Sequence, residues 1–450
     1  NTKPVEITSS VAVRTALSGF LQPAGVGKGI HDREGVKAGD SYIRTYTFTR
    51  TSGSSSAVTY NLSWVGNDGT FSSAGSISLP LNREVTLPVA INPTTAGSHA
   101  AILNLNDPDT AGVEYQTMNV VVAAEQFNAA NNYSVTKTGV AGRNQALHYF
   151  FNVPAGTPAF KVDLAGPSAA TGTGQVRFLR FHPYGVSIDS TASTACYVPA
   201  VSTSCNGTTR TVQNPQAGVW ELTVEARRTS DIANAPFTLT ASILGATVSP
   251  NPDTIESAQA NVGVNREYSF KNLYGAFTGR ATGSNLSSAV VDRKSIGNLE
   301  QKTYEVVVDA GSTALTARIG NPSDLAADLD LFVIKDDKVL GQSADGDSEE
   351  AVTIANPAAG TYTILIDGYA VPAGTTTYDY LDVFAHAKFG TVAVTDSNGL
   401  RPAGSTWTAP GVVTAKIAPE TGRILLGNVF VRTDGNVTIG TGEVRVLKVE

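Results

Sequence analysis

The chain has 450 residues, room for three or four domains of ordinary size that each bury a core of their own. Only 16% of residues are charged and 43 are glycine, with Ser, Thr, Ala, Val and Asn recurring throughout, which argues for turn-rich β-structure and against a helical cytosolic enzyme. The net charge of −7 leaves no basic stripe to neutralise phosphates, so a nucleic-acid partner is not expected, and no apolar run of about 18 residues exists to make a membrane-spanning helix.

Residues 1–27 form a lead-in without clear periodicity. Asn1 begins mid-pattern and Met118 is the one methionine, so the chain is read as a mature or processed fragment. Strands then come densely. Tyr42–Thr49 alternates, as do Val58–Trp64 and Val85–Ile91; His99–Leu105 and Tyr115–Ala123 follow. Six or seven short strands over about 100 residues fit a fibronectin-III-like or Ig-like sandwich, assigned with its lead-in to residues 1–126. Tyr60 and Trp64 share one face with Leu62, the pattern of a core and not of a sugar-binding platform.

Residues 127–247 make a second unit, with strands over Leu147–Val153, Phe160–Leu164, Gln175–Phe181 and Gly218–Val224. Its two cysteines, Cys196 and Cys205, are the only ones in the chain and close a short loop, which suits a disulfide in an oxidising compartment. A third unit, residues 292–388, repeats the second. TVQNPQAGVWELTV (Thr211–Val224) matches TIANPAAGTYTILI (Thr353–Ile366), and VPAGTPAFKVDLAGP (Val153–Pro167) matches VDAGSTALTARIGNP (Val308–Pro322). The first unit recurs in split form. RTYTFTRTSG (Arg44–Gly53) resembles REYSFKNLYG (Arg266–Gly275), and VTLPVAINPTTAG (Val85–Gly97) resembles VVTAKIAPETGR (Val412–Arg423). Residues 248–291 plus 389–450 are therefore read as a second, discontinuous sandwich into which residues 292–388 are inserted.

The chemistry worth weighing is acidic. Asp328 and Asp330 fall on one face of a strand, within a stretch read as three strands to Ala370, and Asp345-Gly346-Asp347 is an acidic turn able to fold over them. Hard oxygen ligands of this kind suit Ca2+; a solvated acidic loop is the other reading, and both stay open. In the earlier copy Gln175 and Arg177 replace Asp328 and Asp330. Gly346-Asp347-Ser348 has the look of a chymotrypsin-type nucleophile motif, but Glu349 and Glu350 would repel a developing oxyanion. The five histidines show no metal-ligand spacing and are read as loop or edge residues.

Two sets of motifs carry a family resemblance. Asp328–Ala370, with its shared N-P-x-A-G-x-aromatic frame, resembles the bacterial pre-peptidase C-terminal module, a jelly roll appended to secreted peptidases. Leu17–Leu21 with Val26–Glu34, then Ser63-Trp64-Val65, Ala90–Pro93 and Gly97-Ser98-His99, resemble the segment after the protease domain in tripeptidyl-peptidase II and its bacterial subtilase relatives. The resemblance implies an all-β chain of tandem sandwiches and jelly-roll modules, with calcium held in some related modules. It also implies a secreted, extracellular, non-catalytic region of a subtilisin-like serine peptidase, whose partner is its own catalytic domain or a protein or polysaccharide surface. The subtilase motifs G-T-S-M-A and H-G-T-H do not occur, so no triad can be assigned to any residue here. The alternative is a stand-alone extracellular adhesin or carbohydrate-binding protein.

Overall fold

Short-range alternation of apolar and polar residues turns the chain into strand almost throughout, as expected: strands hold 59% of residues and helix 2%. The computed structural model describes residues 5–168, 170–189, 197 and 207–450. Cys196 and Cys205, and the disulfide expected between them, lie outside the described residues. The chain divides into two compact units, Asn1–Leu244 and Gly245–Glu450.

The first unit opens with two five-stranded sheets. One runs in the order Val26–Gly27, Ile7–Ala12, Tyr42–Arg50, Glu84–Ile91, Phe71–Ser72; the other runs His31–Asp32, Tyr115–Ala123, Gly97–Asn106, Val58–Val65, Ser76–Leu79. Inward positions of both sheets supply the core, in which Tyr46, Phe48, Tyr60, Val89, Leu103 and Val121 are fully buried. The lead-in contributes the strand Ile7–Ala12, where the buried Ser9 interrupts the apolar alternation. Two four-stranded sheets follow, around Phe151, Phe160, Phe178 and Trp220. Their contact with the first sandwich is specific. The Glu34 carboxylate accepts the Val219 N–H at 3.0 Å, Arg33 donates to the Val219 carbonyl at 3.3 Å, and Val122 and Ala124 pack on Phe150.

In the second unit, residues on both sides of 292–388 share sheets. Gly263–Asn272 pairs with Thr406–Ala415, placing Arg266 opposite Gly411, and Asp253–Ile255 pairs in parallel with Thr438–Val446. The strand Ser287–Gly297 pairs with Ile424–Thr433 at its start and with Thr375–Ala385 along its whole length. One nine-stranded sheet thereby runs continuously from the sandwich strands to Ala351–Ala355. The opposite sheet of the jelly roll is Gln301–Val308, Gly360–Ala370, Asp328–Lys335, Lys338–Ser343.

The sequence repeats are repeats of physical devices. In the two jelly rolls Asn214 and Asn356 adopt left-handed φ of 48° and 46°, a region asparagine enters at little cost. Gly218 and Gly360 follow at φ 125° and 127°, where a Cβ would be strained. The aromatic two residues later closes the turn: Trp220 Nε1 donates to the Gln216 carbonyl at 2.8 Å, and the Tyr362 hydroxyl to the Ala358 carbonyl at 2.9 Å.

The sandwiches share a buried carboxylate clamp that joins their two sheets. Asp32, fully buried, accepts two bonds from Arg44 at 2.8 and 3.0 Å and one from the Tyr42 hydroxyl at 2.8 Å. Asp253, also buried, is held by Arg266 and by the Tyr268 hydroxyl at 2.9 Å. Removing one member of such a pair strands the other in a low-dielectric site, which costs about 3–5 kcal/mol. Asp32→Ala is therefore expected to destabilise the first sandwich by about 3 kcal/mol. Hydrogen exchange across Tyr42–Arg50 and Tyr115–Ala123 should report it; protection left within about 1 kcal/mol of the parent would contradict the clamp.

Candidate functional site

The stretch Asp328–Ala370 forms four strands, Asp328–Lys335, Lys338–Ser343, Ala351–Ala355 and Gly360–Ala370, one more than alternation marks. Leu329, Leu331 and Val333 point inward and are fully buried, so the odd-numbered apolar residues commit Asp328 and Asp330 to the opposite face. Register against Gly360–Ala370 sets Asp330 opposite Asp367, with an irregularity between Asp328 and Asp330 that re-aims the pair.

The acidic loop is stitched onto this strand. The Leu329 N–H donates to the Asp347 carbonyl at 3.2 Å and the Ser348 hydroxyl to the Ala327 carbonyl at 2.7 Å. Ser348 is thus a buried hydroxyl spent on a backbone carbonyl, which removes it as a nucleophile. Inside the loop, the Asp347 N–H donates to Asp345 and the Glu349 N–H to Asp347. Glu350 is fully buried beside them, accepting from the Ser343 hydroxyl and from the Asp345 N–H at 3.2 Å.

The result is a convergence of carboxylates. Oxygens of Asp345, Asp347 and Glu350 lie within 4.8 Å of one another. Asp328 Oδ1 is buried without a hydrogen-bond partner. Partial burial, then the charges of Asp345 and Asp347, raise the Asp328 pKa. Burial, then the charges of Asp328, Asp367 and Glu350, raise that of Asp330. Among the described residues, none of these six carboxylates makes an ion pair with Lys or Arg. All four acidic residues singled out from sequence therefore belong to one neighbourhood. Glu350 and Asp367 were not singled out with them, although Asp367 is legible from the duplicate, where it aligns with Glu225.

The duplicate supplies the control. Arg177 stands where Asp330 does, opposite Glu225, and its Nε donates to the Glu225 carboxylate. A cross-strand ion pair in one copy is a like-charge pair in the other. Elsewhere, both nitrogens of the buried His99 are taken, by the Asp68 carboxylate at 2.6 Å and the Thr95 carbonyl at 2.9 Å.

Raised folded-state pKa values mean that the folded chain holds these protons more tightly than the unfolded chain. Stability from this cluster is therefore lost as pH rises from the ordinary carboxylate value of 3.8 through the raised ones. With divalent ions chelated, Asp330→Asn should raise the melting temperature of the second unit at neutral pH and do so progressively less as pH approaches 4. A neutral-pH decrease would contradict the repulsion.

Comparison with known proteins agrees with this architecture. Residues 8–123 match the Ig-like domain in actinomycete serine proteases, and residues 300–368 match the bacterial pre-peptidase C-terminal domain. Pyrolysin of Pyrococcus furiosus is 27% identical over 304 residues, 66% of this chain, and the match spans only 20% of pyrolysin. Among solved structures, tripeptidyl peptidase 2 (TPP II) is similar over 99% of this chain and 40% of its own, at 12% identity and a TM-score of 0.46. The secreted serine protease VesC of Vibrio cholerae is similar over 46% of this chain and 48% of its own, at 13% identity and a TM-score of 0.28. Both scores lie below 0.5, so the fold rests on the sheets themselves. The chain carries two peptidase-associated domain types, an Ig-like domain of the actinomycete serine-protease kind and a bacterial pre-peptidase C-terminal domain.

Proposed function

We propose that the chain is the non-catalytic accessory region of a secreted, extracellular subtilisin-like serine peptidase, acting to stabilise or assemble the catalytic domain or to dock it. The observation that carries this reading is the pairing of the two peptidase-associated domains in one chain related to pyrolysin. Its four modules are a sandwich, a jelly roll, and a second sandwich interrupted by a second jelly roll. The pairing of Gly263–Asn272 with Thr406–Ala415, across the intervening residues, supports the inserted arrangement. Deleting this region from its peptidase should shorten the half-life of activity at elevated temperature while turnover of a small chromogenic peptide stays unchanged. An unaltered half-life, or a native protein whose mass includes no catalytic chain, would contradict the reading.

Within that region the second jelly roll is a calcium module, held through Asp328, Asp330, Asp345 and Asp347, with Glu350 and Asp367 added by their position. The like-charged pair that stands where Arg177 and Glu225 stand in the copy is the main support. An unpaired, partly buried carboxylate cluster fits a hard divalent cation, which would supply the missing positive charge; it fits thiolate-seeking metals poorly. Calcium should raise the melting temperature of the second unit, and Asp328→Asn with Asp330→Asn should abolish the rise. A parent chain whose melting is indifferent to calcium would refute the site.

A further inference from the structure

The duplicated jelly roll also shows where its second copy departs from the first on the opposite sheet. In the first copy the outward rows across three strands are Thr136, Thr240, Asp163 and Ser134, Ser242, Lys161. Their hydroxyls bond one another across the strands, Thr136 to Thr240 at 3.0 Å and Ser134 to Ser242 at 2.8 Å. The matching rows of the second copy are Val291, Leu381, Arg318 and Ala289, Val383, Thr316. Three hydroxyls have become the partly exposed Val291, Leu381 and Val383, Ser134 has become the fully buried Ala289, a lysine has become Thr316 and an aspartate has become Arg318.

This altered face is concave. A cavity of about 640 Å³ lies over Val291, Leu381 and Arg318, within the size range of small-ligand sites. A second of about 260 Å³ continues along Val383 and Ala385 to Leu426, and Glu443 and Arg318 line both. Along Asp379–Ala385 the trough is roughly 20 Å long, the reach of about six extended residues. Its charged rim is largely self-satisfied. Arg293 pairs with Asp379 at 2.6 Å, Arg445 with Glu443, and Glu349 accepts the Asn321 N–H at 2.6 Å. The Arg318 side chain is exposed and makes no ion pair or hydrogen bond among the described residues; the Asp379 carboxylate beside it feels its charge but is hydrogen-bonded by Arg293 and Asn321.

We propose that this trough binds an extended peptide that lays aliphatic side chains on Val291 and Leu381 and presents a carboxylate to Arg318. A planar guanidinium left unpaired beside an aliphatic floor is complementary to a carboxylate next to an apolar side chain, as at the C-terminus of a cleaved polypeptide. The floor disfavours a saccharide, because sugars stack on exposed rings and the rings of this strand, Tyr378, Tyr380 and Phe384, are all buried on the other face. The inference stands on the groove alone and does not require the peptidase reading.

The test is fluorescence anisotropy of the full chain with a pool of fluorescein-labelled hexapeptides, randomised at their last two positions, with free C-terminal carboxylates. Saturable binding is expected, weaker by about tenfold or more for the C-terminal amides and for Arg318→Gln, the loss of one charge-assisted hydrogen-bond pair. The Arg318 side chain gives up no hydrogen bond or ion pair, only its charge beside the already paired Asp379, so that variant should melt close to the parent. Val291→Thr with Leu381→Thr, which restores the hydroxyls of the first copy, should also weaken binding. No saturable binding up to about 1 mM, a range in which even weak peptide sites fill, would overturn the proposal. Binding indifferent to Arg318→Gln, or an acidic oligosaccharide that binds where the peptides do not, would do the same.

Discussion

Strand Ser287–Gly297 belongs to two modules at once, and the arrangement of the second unit depends on that sharing. Its first residues complete the sandwich sheet beside Ile424–Thr433, and its full length starts the jelly-roll sheet beside Thr375–Ala385. Backbone hydrogen bonds thus run without a break from one module into the next, where a flexible linker would leave the two free to reorient. A buried ion pair reinforces the join: Arg423, from the loop before Ile424–Thr433, reaches Asp382 on the jelly-roll strand at 2.6 Å and bonds Ser288 as well. The concavity over Leu381 and Val383 is lined from both modules, by the jelly-roll strands on one side and by Leu426, Asn428 and Glu443 on the other.

Duplication makes the specialisation of the second copy readable. The turn frame is retained down to single dihedral angles, because the left-handed Asn, the glycine and the aromatic cap are one cooperative device. Two faces have diverged. On one, the Arg177–Glu225 pair has become Asp330 facing Asp367, a substitution that costs stability unless a cation intervenes. On the other, a hydroxyl ladder has become an aliphatic floor. The first copy uses its other sheet differently too: around Phe150 and Val219 that sheet is covered by the first sandwich through Arg33 and Glu34.

Much of this is legible in the sequence, for identifiable physical reasons. The long strands of the first sandwich alternate over most of their length, and their ends fall within a residue or two of the expected positions. Ile7–Ala12 escaped because Ser9 occupies a core position, satisfied by the Lys28 carbonyl and the Tyr115 hydroxyl, partners that sequence periodicity cannot reveal. Lys338–Ser343 escaped because it is exposed along most of its length and so carries no alternation. Asp328, Asp330, Asp345 and Asp347 were legible as a cluster, whereas the burial of Glu350 depends on Ser343 folding back across it. The trough was not legible at all, because Arg318, Leu381 and Val291 meet only through cross-strand register over long separations.

The central claim is that the second jelly roll holds with a cation what the first holds with an arginine. Isothermal titration with calcium tests it most directly on a chain carrying Asp330→Arg and Asp367→Glu, which transplants the Arg177–Glu225 pair into the second copy. The account predicts that the parent binds calcium, and that the transplanted chain binds none yet is as stable without calcium as the parent is with it. A transplanted chain that still binds calcium, or a parent that never does, would contradict it.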